Sequence, residues 1–314
     1  MEQIKPGETL IIDVYEEDID KRLDVFLAKS LKLYSRSFFQ KLISAQHVKI
    51  NDLVVTKSKT KIQRNDIVSV TFPPEKKIDL KKIINKELDV QILNQHPDFL
   101  IVYKPAGLMV HDPTDTQISN DIITLVDWLL VHFKELENVG EIDRPGIVHR
   151  LDMNTSGLLI IPKKRYAHTI FSDMFRERKI QKTYLAIATG HPDKEGTIDF
   201  SISRHPQQKT RMTHTIQTGR SATTHYKVLE YFKDCSLLEL KPITGRTHQI
   251  RVHLAAIGHP IIGDSVYGNH SKIIKRQALH AYKLEFEYKN EPFSFMCPIP
   301  QDFENAIEAL KAQE

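Results

Sequence analysis

The run I-V-H-R-L-D-M-N-T-S-G-L-L-I-I, Ile147–Ile161, decides how the rest of the chain is read. Ile147 and Val148 lead into a polar turn from Asp152 to Gly157, and Leu158 to Ile161 lead out before Pro162 stops the run. Apolar runs on either side of an Asn-, Ser- and Gly-bearing turn predict strand, turn, strand. Asp152 then stands at a strand end, where a packed sheet holds the backbone while the carboxylate faces a cleft. An isolated turn of this composition needs no function, because Asp, Asn, Thr and Ser in turns commonly bond the local backbone. The flanking sequence decides between the two readings.

Downstream, Tyr166, Ile170, Phe171, Met174 and Phe175 form one apolar stripe and predict a helix over Arg165–Arg178. Its basic end, Arg176, Arg178 and Lys179, suits the negative end of the helix dipole. Lys182–Ala188 alternates as a strand, with Tyr184, Ala186 and Ala188 on one face and Leu185 and Ile187 on the other. A tyrosine between small residues has room around its ring, although a lone tyrosine is more often core. From Arg204 to Leu229 there are five Lys or Arg, including Arg204, Lys209 and Arg211, and no acid. A basic stretch of that length, broken by Pro206 and Gly219, predicts a hairpin projecting from the body. Leu237–Leu240 predicts a strand, and Gly245-Arg246-Thr247 a helix start, with Ile250, Leu254 and Ile257 on the apolar side and Arg251 beside them. Strands near 284–286 and 293–295 and a helix over 303–312 complete the chain.

Upstream, Ile11–Tyr15 predicts a strand, and a helix begins at Ile19 or Asp20 with Leu23, Phe26, Leu27 and Leu31 at helical spacing. Ser35 and Ser37 are candidate caps for a second helix that turns Phe38, Phe39, Leu42 and Ile43 inward and Arg36 and Lys41 outward. Val48, Ile50, the Asn51-Asp52 turn and Val54 predict a hairpin, followed by a strand over Asp66–Phe72. Pro73 and Pro74 end this module, and the lysine-rich stretch after them predicts a linker. Phe99–Tyr103 is a buried-type strand before the turn Lys104–Gly107, and Ile122–Phe133 an amphipathic helix holding Trp128. The fold class expected is α+β: a small N-terminal α+β domain over 1–74, a linker over 75–88, and a mixed, mostly antiparallel sheet domain over 89–314.

With 314 residues, 40% of them apolar and 27% charged, the chain has an ordinary globular composition and room for two domains. No apolar run approaches the ~20 residues that cross a bilayer. The N-terminus lacks a basic start followed by an apolar run, so no secretory signal is expected and the cytoplasm is. Two scattered cysteines, Cys235 and Cys297, suit a reducing compartment. Net charge is +4, yet Lys29–Arg64 holds nine Lys or Arg against Asp52 alone, a local +8 that includes Arg36, Lys41, Lys57, Lys59, Lys61 and Arg64. Such an excess on a balanced protein describes a phosphate-binding face. No Walker loop, G-x-G-x-x-G or H-E-x-x-H is present, and the fifteen histidines are scattered, so neither cofactor nor metal is expected.

The nine residues H-R-L-D-M-N-T-S-G resemble the H-R-L-D-x-x-T-S-G signature of the RluA group of RNA pseudouridine synthases. F-L-I-V-Y-K-P-A-G-L resembles the opening strand and loop of that family, K-T-Y its tyrosine motif, and K-P-I-T-G-R-T-H-Q-I-R-V-H its third motif. Residues 20–72, with L-D-x-F-L, S-R-S and V-x-I-N, resemble the αL (S-four type) RNA-binding domain. The resemblance implies catalysis by Asp152, Tyr184 and Arg251. It implies substrate contacts from Arg150, Arg246, His149, Thr155 and Lys182, with Arg150 filling the place of a flipped-out uridine. I-S-R-H-P and G-R-S-A-T-T-H-Y are most similar to the members acting on large-subunit ribosomal RNA, so that RNA or its assembly intermediate is the expected partner of a monomer. A transfer RNA enzyme and a non-catalytic ribosome-assembly factor are the alternatives.

Isomerising uridine detaches the base at N1 and reattaches it through C5, which needs no redox partner. Asp152 can attack C1′, attack the base, or remove the C2′ proton. A glycosidase would want two carboxylates flanking one bond, and the central motif offers one.

Overall fold

Asn51 and Asp52 both adopt left-handed backbone, φ 50° and 65°, the geometry that turns a two-residue hairpin between twisted strands. They join β2 (Val48–Ile50) to β3 (Leu53–Val54), and the small sheet continues in the order β1-β4-β2-β3, with β1 Thr9–Asp13 and β4 Ile67–Thr71. Two helices, α1 (Leu23–Ser30) and α2 (Arg36–Ser44), supply Leu23, Phe26, Leu27, Phe38, Phe39, Leu42 and Ile43 to its core. The first helix starts later than its spacing suggests, because Asp20 adopts left-handed backbone at φ 62° and Arg22 forms a β-bridge with Lys61, after a short 3₁₀ turn over Glu16–Asp18. Ser37 lies inside α2 rather than capping it, and Ser35 is outside the described residues.

The structure, a computed structural model, describes residues 7–32, 34, 36–72, 88–111, 122–141, 144–208, 210–214 and 219–313. The chain groups into two units, Met1–Lys86 with His111–Gly146, and Glu87–Val110 with Ile147–Glu314. The first also contains α3 (Leu125–His132), shorter than expected because Thr124 and Asp127 form a reciprocal capping box at its start. A ribbon of β7 (Gly140–Glu141) and β8 (Arg144–Pro145) follows. Residues 75–87 of the expected linker lie outside the described residues.

The second unit is built on a mixed sheet, ordered β11-β14-β15-β10-β16-β9-β6-β5 with β17 also on β16. Its strands are β5 Gln91–Gln95, β6 Phe99–Lys104, β9 Ser156–Pro162, β10 Gln181–Thr189, β11 Glu195–Asp199, β14 Thr223–Tyr231, β15 Cys235–Pro242, β16 Leu279–Tyr288 and β17 Glu291–Met296. All of these pairings are antiparallel except β9 with β16. One edge of β16 is shared: His280 and Ala281 pair with β9, and Lys283–Tyr288 pair with β17. Helix α4 (Arg165–Arg176) packs Ala167, Phe171 and Met174 on the β6/β9 side, while α5 (Gln249–Ala256) and α6 (Gln301–Lys311) cover the β10/β15 side.

Two expectations fail here. Ile147 and Val148 are not a strand; the segment reaches Asp152 as irregular chain. His149 Nε2 accepts the Ile160 N–H at 2.9 Å, so an imidazole replaces the backbone ladder on that edge of β9. The basic stretch from Arg204 to Leu229 is not one projecting hairpin. Among the described residues β12 (Ser203–Arg204) and β13 (Met212–Thr213) form a small ribbon, and Thr223–Tyr231 is an inner strand that buries Thr224 and Val228.

Candidate active site

The turn bearing Asp152 is held from three directions. Thr155 N–H donates to Asp152 O at 3.0 Å and closes it. Lys104, fully buried, donates from Nζ to Pro105 O, Leu108 O and Met153 O at 2.7, 2.8 and 2.9 Å, tying the K-P-A-G loop under the turn. Burial, then the charge of Arg276, pushes that ammonium down to about 7, with Asp152 opposing. Three carbonyl acceptors also oppose it, since only the fully protonated amine has a donor for each. From the third side Arg276 Nη1 donates to Asn154 O, Gln277 O and Leu279 O, while Asp302 of α6 takes Nε and Nη2 at 2.6 and 2.9 Å.

The T-S-G that follows Asn154 has a packing reason at each position. Thr155 is buried and accepts from Gln277 Nε2. Ser156 shares a 3.0 Å hydrogen bond with His280 Nδ1. Gly157 has φ 127°, and a Cβ there would lie 2.2 Å from Ala281 O, so only glycine lets β9 meet β16.

Arg251 comes to this turn from α5. Its Nη1 donates to Asp152 Oδ2 at 3.0 Å, and its Nε and Nη2 donate to Asp264 Oδ2 and Oδ1 at 2.7 and 2.8 Å. Asp264 is fully buried and also accepts the N–H groups of Val266 and Tyr267 at 2.9 and 3.2 Å. Burial opposes its charge, but the guanidinium and these N–H donors hold it below the usual carboxylate range. The Tyr267 ring lies under the guanidinium, 5.1 Å from Cζ, and its hydroxyl bonds His248 Nδ1 at 2.9 Å. His248, in left-handed backbone at φ 56°, turns Nε2 to 3.9 Å from Asp152 Oδ1. The Asp152 side chain retains 19% exposure and the Arg251 side chain 7%, so the open side of the cluster is the aspartate.

Tyr184 is half-buried on β10; burial first, then the charge of Asp152, raises its hydroxyl pKa. Lys182, two residues earlier, donates weakly to Thr244 O at 3.5 Å, and burial lowers its ammonium to about 8. Arg246 donates from Nε to Ser221 O, and Arg150 is exposed. His149 and Thr155 are otherwise engaged. The His149 ring stacks on Phe175 with centroids 4.4 Å apart and is held to about 3 by burial, so its accepting nitrogen serves the sheet.

The cationic face of the N-terminal module is smaller than its count suggests. The acidic run beside it folds onto it: Lys29 meets Glu17 and Asp18, Lys61 meets Asp20 at 3.6 Å, and Arg64 meets Glu16. Arg36 pairs with buried Asp24. Lys57 and Lys59 stay exposed. In the ribbon, Arg204 is exposed, Arg211 lies over Tyr267 at 5.5 Å, and Lys209 is outside the described residues.

Asp264, Tyr267, His248, Lys104 and Arg276 were not expected as site residues. The usable signal was G-D-S-V-Y-G, Gly263–Gly268, which reads as a surface loop until its aspartate is seen to be buried.

The second unit presents one open carboxylate against a buried arginine on a mixed sheet, and the chain also carries a small α+β module rich in basic residues. A sequence model of the RNA pseudouridylate synthase family matches residues 98–256, and one of the S4 domain matches 21–68. An uncharacterised RNA pseudouridine synthase of Bacillus subtilis is 38% identical, covering 96% of this chain and 97% of its own length. The ribosomal large subunit pseudouridine synthase D of Escherichia coli is 34% identical, covering 96% and 94%. Among solved structures, human RNA pseudouridylate synthase domain containing 1 is similar with a TM-score of 0.56 and 28% identity, over 72% of this chain and 96% of that one. The chain belongs to the RNA pseudouridylate synthase family and carries an S4 domain: it is an RNA pseudouridine synthase, an isomerase.

Proposed function

We propose that this enzyme converts uridine to pseudouridine in large-subunit ribosomal RNA or its assembly intermediate, with Asp152 as the catalytic carboxylate on a uridine flipped out of its stack. The observation that carries the reading is the row Asp152, Arg251, Asp264, in which the arginine is bidentate to the buried acid and single-bonded to the open one. Asp264 neutralises Arg251 whatever happens to Asp152. When the Asp152 carboxylate attacks C1′ or the base, or takes the C2′ proton, its charge falls without leaving a bare buried guanidinium. The glycosidic N1–C1′ bond breaks, the base turns, C5–C1′ forms, and the C5 proton leaves as N1 gains one, so atoms balance with no co-reactant.

Tyr184 supports the base and takes part in removing the C5 proton. Lys182, Arg150 and Arg246 hold the flipped nucleotide and its surroundings, and Lys57, Lys59 and Arg204 contact RNA beyond the site. We assign residues 1–74 to binding and 89–314 to chemistry, joined by 75–88, although residues 111–146 group with the N-terminal module. The enzyme acts as a monomer in the cytoplasm; among the described residues no helix is long and apolar enough to cross a membrane.

Asp152→Asn should fold and bind RNA yet make no pseudouridine, measured by tritium release from RNA labelled at uridine C5. Substantial turnover by this variant would defeat the assignment. Primer-extension mapping of total RNA from a deletion strain should show the missing sites in large-subunit RNA, and a loss confined to transfer RNA would refute the substrate.

A further inference from the structure

At the C-terminal end of α4 the chain breaks a local rule. Lys179 N–H donates to Met174 O at 2.8 Å and Arg178 N–H to Phe175 O at 3.3 Å, the paired bonds that close a helix around a left-handed residue. That residue is Arg178, φ 61°, where glycine is favoured because a Cβ crowds the following carbonyl. Arg178 is exposed, so burial of its side chain does not account for the choice. Positions that override local propensity without a packing gain are often functional.

The surroundings supply a reason. The contact of Lys182 Nζ with Thr244 O ties the start of β10 to the loop that carries Arg246, and Arg178 lies four residues before Lys182 in the chain. Arg246 Nε donates to Ser221 O at 3.1 Å, which sets it against the residue following Arg220. After burial, the charges of Arg220 and Arg178 both push the Arg246 guanidinium down. Among the described residues none of the three has an acidic partner, although Arg176 and Lys179 beside them pair with Asp173 and Glu177. Like charges gathered without a counter-charge raise the energy of the free protein, and an anion relieves it. The cluster borders the site, since Arg246 is two residues from His248 and Lys182 two from Tyr184.

We propose that Arg178, Arg220 and Arg246 form a binding site for one phosphodiester of the RNA strand, next to the nucleotide whose base enters the Asp152 site. The proposal rests on the reading of Asp152 as the catalytic residue. Guanidinium forks match phosphate oxygens, and extruding a base swings its backbone, so a clamped phosphate beside it holds the rotated conformation.

The test uses a uridine-bearing stem-loop RNA from large-subunit ribosomal RNA that the wild-type protein binds, prepared as a set with one linkage at a time replaced by a neutral methylphosphonate. Wild-type binding should weaken at one linkage near the target uridine, and the double variant Arg178→Ala/Arg220→Ala should lose that dependence. Its salt slope should fall by about one contact, roughly 0.7 for a single strand. The circular dichroism spectrum should not change, because both side chains are exposed. Weakening spread evenly over all linkages, or a slope lowered by two contacts or more, would mean a diffuse cationic surface and overturn the proposal, as would unaltered binding by the double variant. A wild-type protein that binds the RNA set and converts no uridine overturns the functional reading itself.

Discussion

Replacing Arg178 by glycine should make the protein more stable while weakening its hold on RNA. The left-handed backbone at φ 61° costs a residue with a Cβ about 1–2 kcal/mol. Glycine escapes that strain but loses roughly 0.5–1 kcal/mol more chain entropy on folding. The net gain is therefore on the order of 0.5–1 kcal/mol, or about 1–4 °C in Tm for a unit of this size. Arg178→Ala is the control. Alanine removes the same charge, and with it the repulsion from Arg220 and Arg246, but keeps the Cβ in the strained conformation. The difference between the glycine and alanine variants isolates the backbone, and calorimetry of the three proteins in one buffer measures it. RNA affinity should fall equally in both. A glycine variant no more stable than the alanine variant would refute the strain argument, and affinity lost only in one would refute the role of the charge.

Three further outcomes are expected. Tyr184→Phe should keep RNA binding and lose about 10²-fold or more in tritium release, as befits a missing proton-transfer group; near-normal release would reduce Tyr184 to a packing surface. Asp264→Asn leaves a buried cation short of its counter-charge and should destabilise by about 3 kcal/mol in urea unfolding, whereas an unchanged midpoint would mean the pair contributes no stability. His149 and His280 are kept neutral when folded, at about 3 and about 4, chiefly by burial. The unfolded chain takes up those protons near pH 6.5, so the share of stability these two histidines contribute should be complete above that pH and fall progressively toward pH 4. Asp24 and Asp98, both held to about 2, add to the loss only at lower pH. Urea midpoints that do not move between pH 7 and pH 5 would contradict the neutral histidines.

The motif around Asp152 was legible because nine consecutive residues carry it, and α4 and β10 because their apolar spacing is local. The failures have local causes too. Ile147 and Val148 look like a strand, but the bond that seats them is made by the His149 side chain, which no pattern of apolar residues encodes. Thr223–Tyr231 is polar at most positions, and its alternation of buried Thr224 and Val228 with exposed neighbours is faint beside the charge of the stretch before it. A charge count along Lys29–Arg64 cannot register that Glu16, Glu17 and Asp18 return to neutralise part of it. Asp264 stands 112 positions from Asp152 in the chain, and only the fold shows that one guanidinium lies between them.

The buried ammonium of Lys104 sits among three carbonyl oxygens at 2.7–2.9 Å, an arrangement other proteins use to hold a bound ion. Here the ion is covalently tethered. It is supplied by the chain itself, one per protein, and neither chelators nor changes in ionic strength can remove it, although with the ammonium pushed down to about 7 its charge is lost as the pH rises past neutrality. Assembly of the loop beneath Asp152 is thereby independent of the ionic conditions that RNA itself requires to fold, and the enzyme can hold its turn in place at low salt, where its attraction to phosphate is greatest.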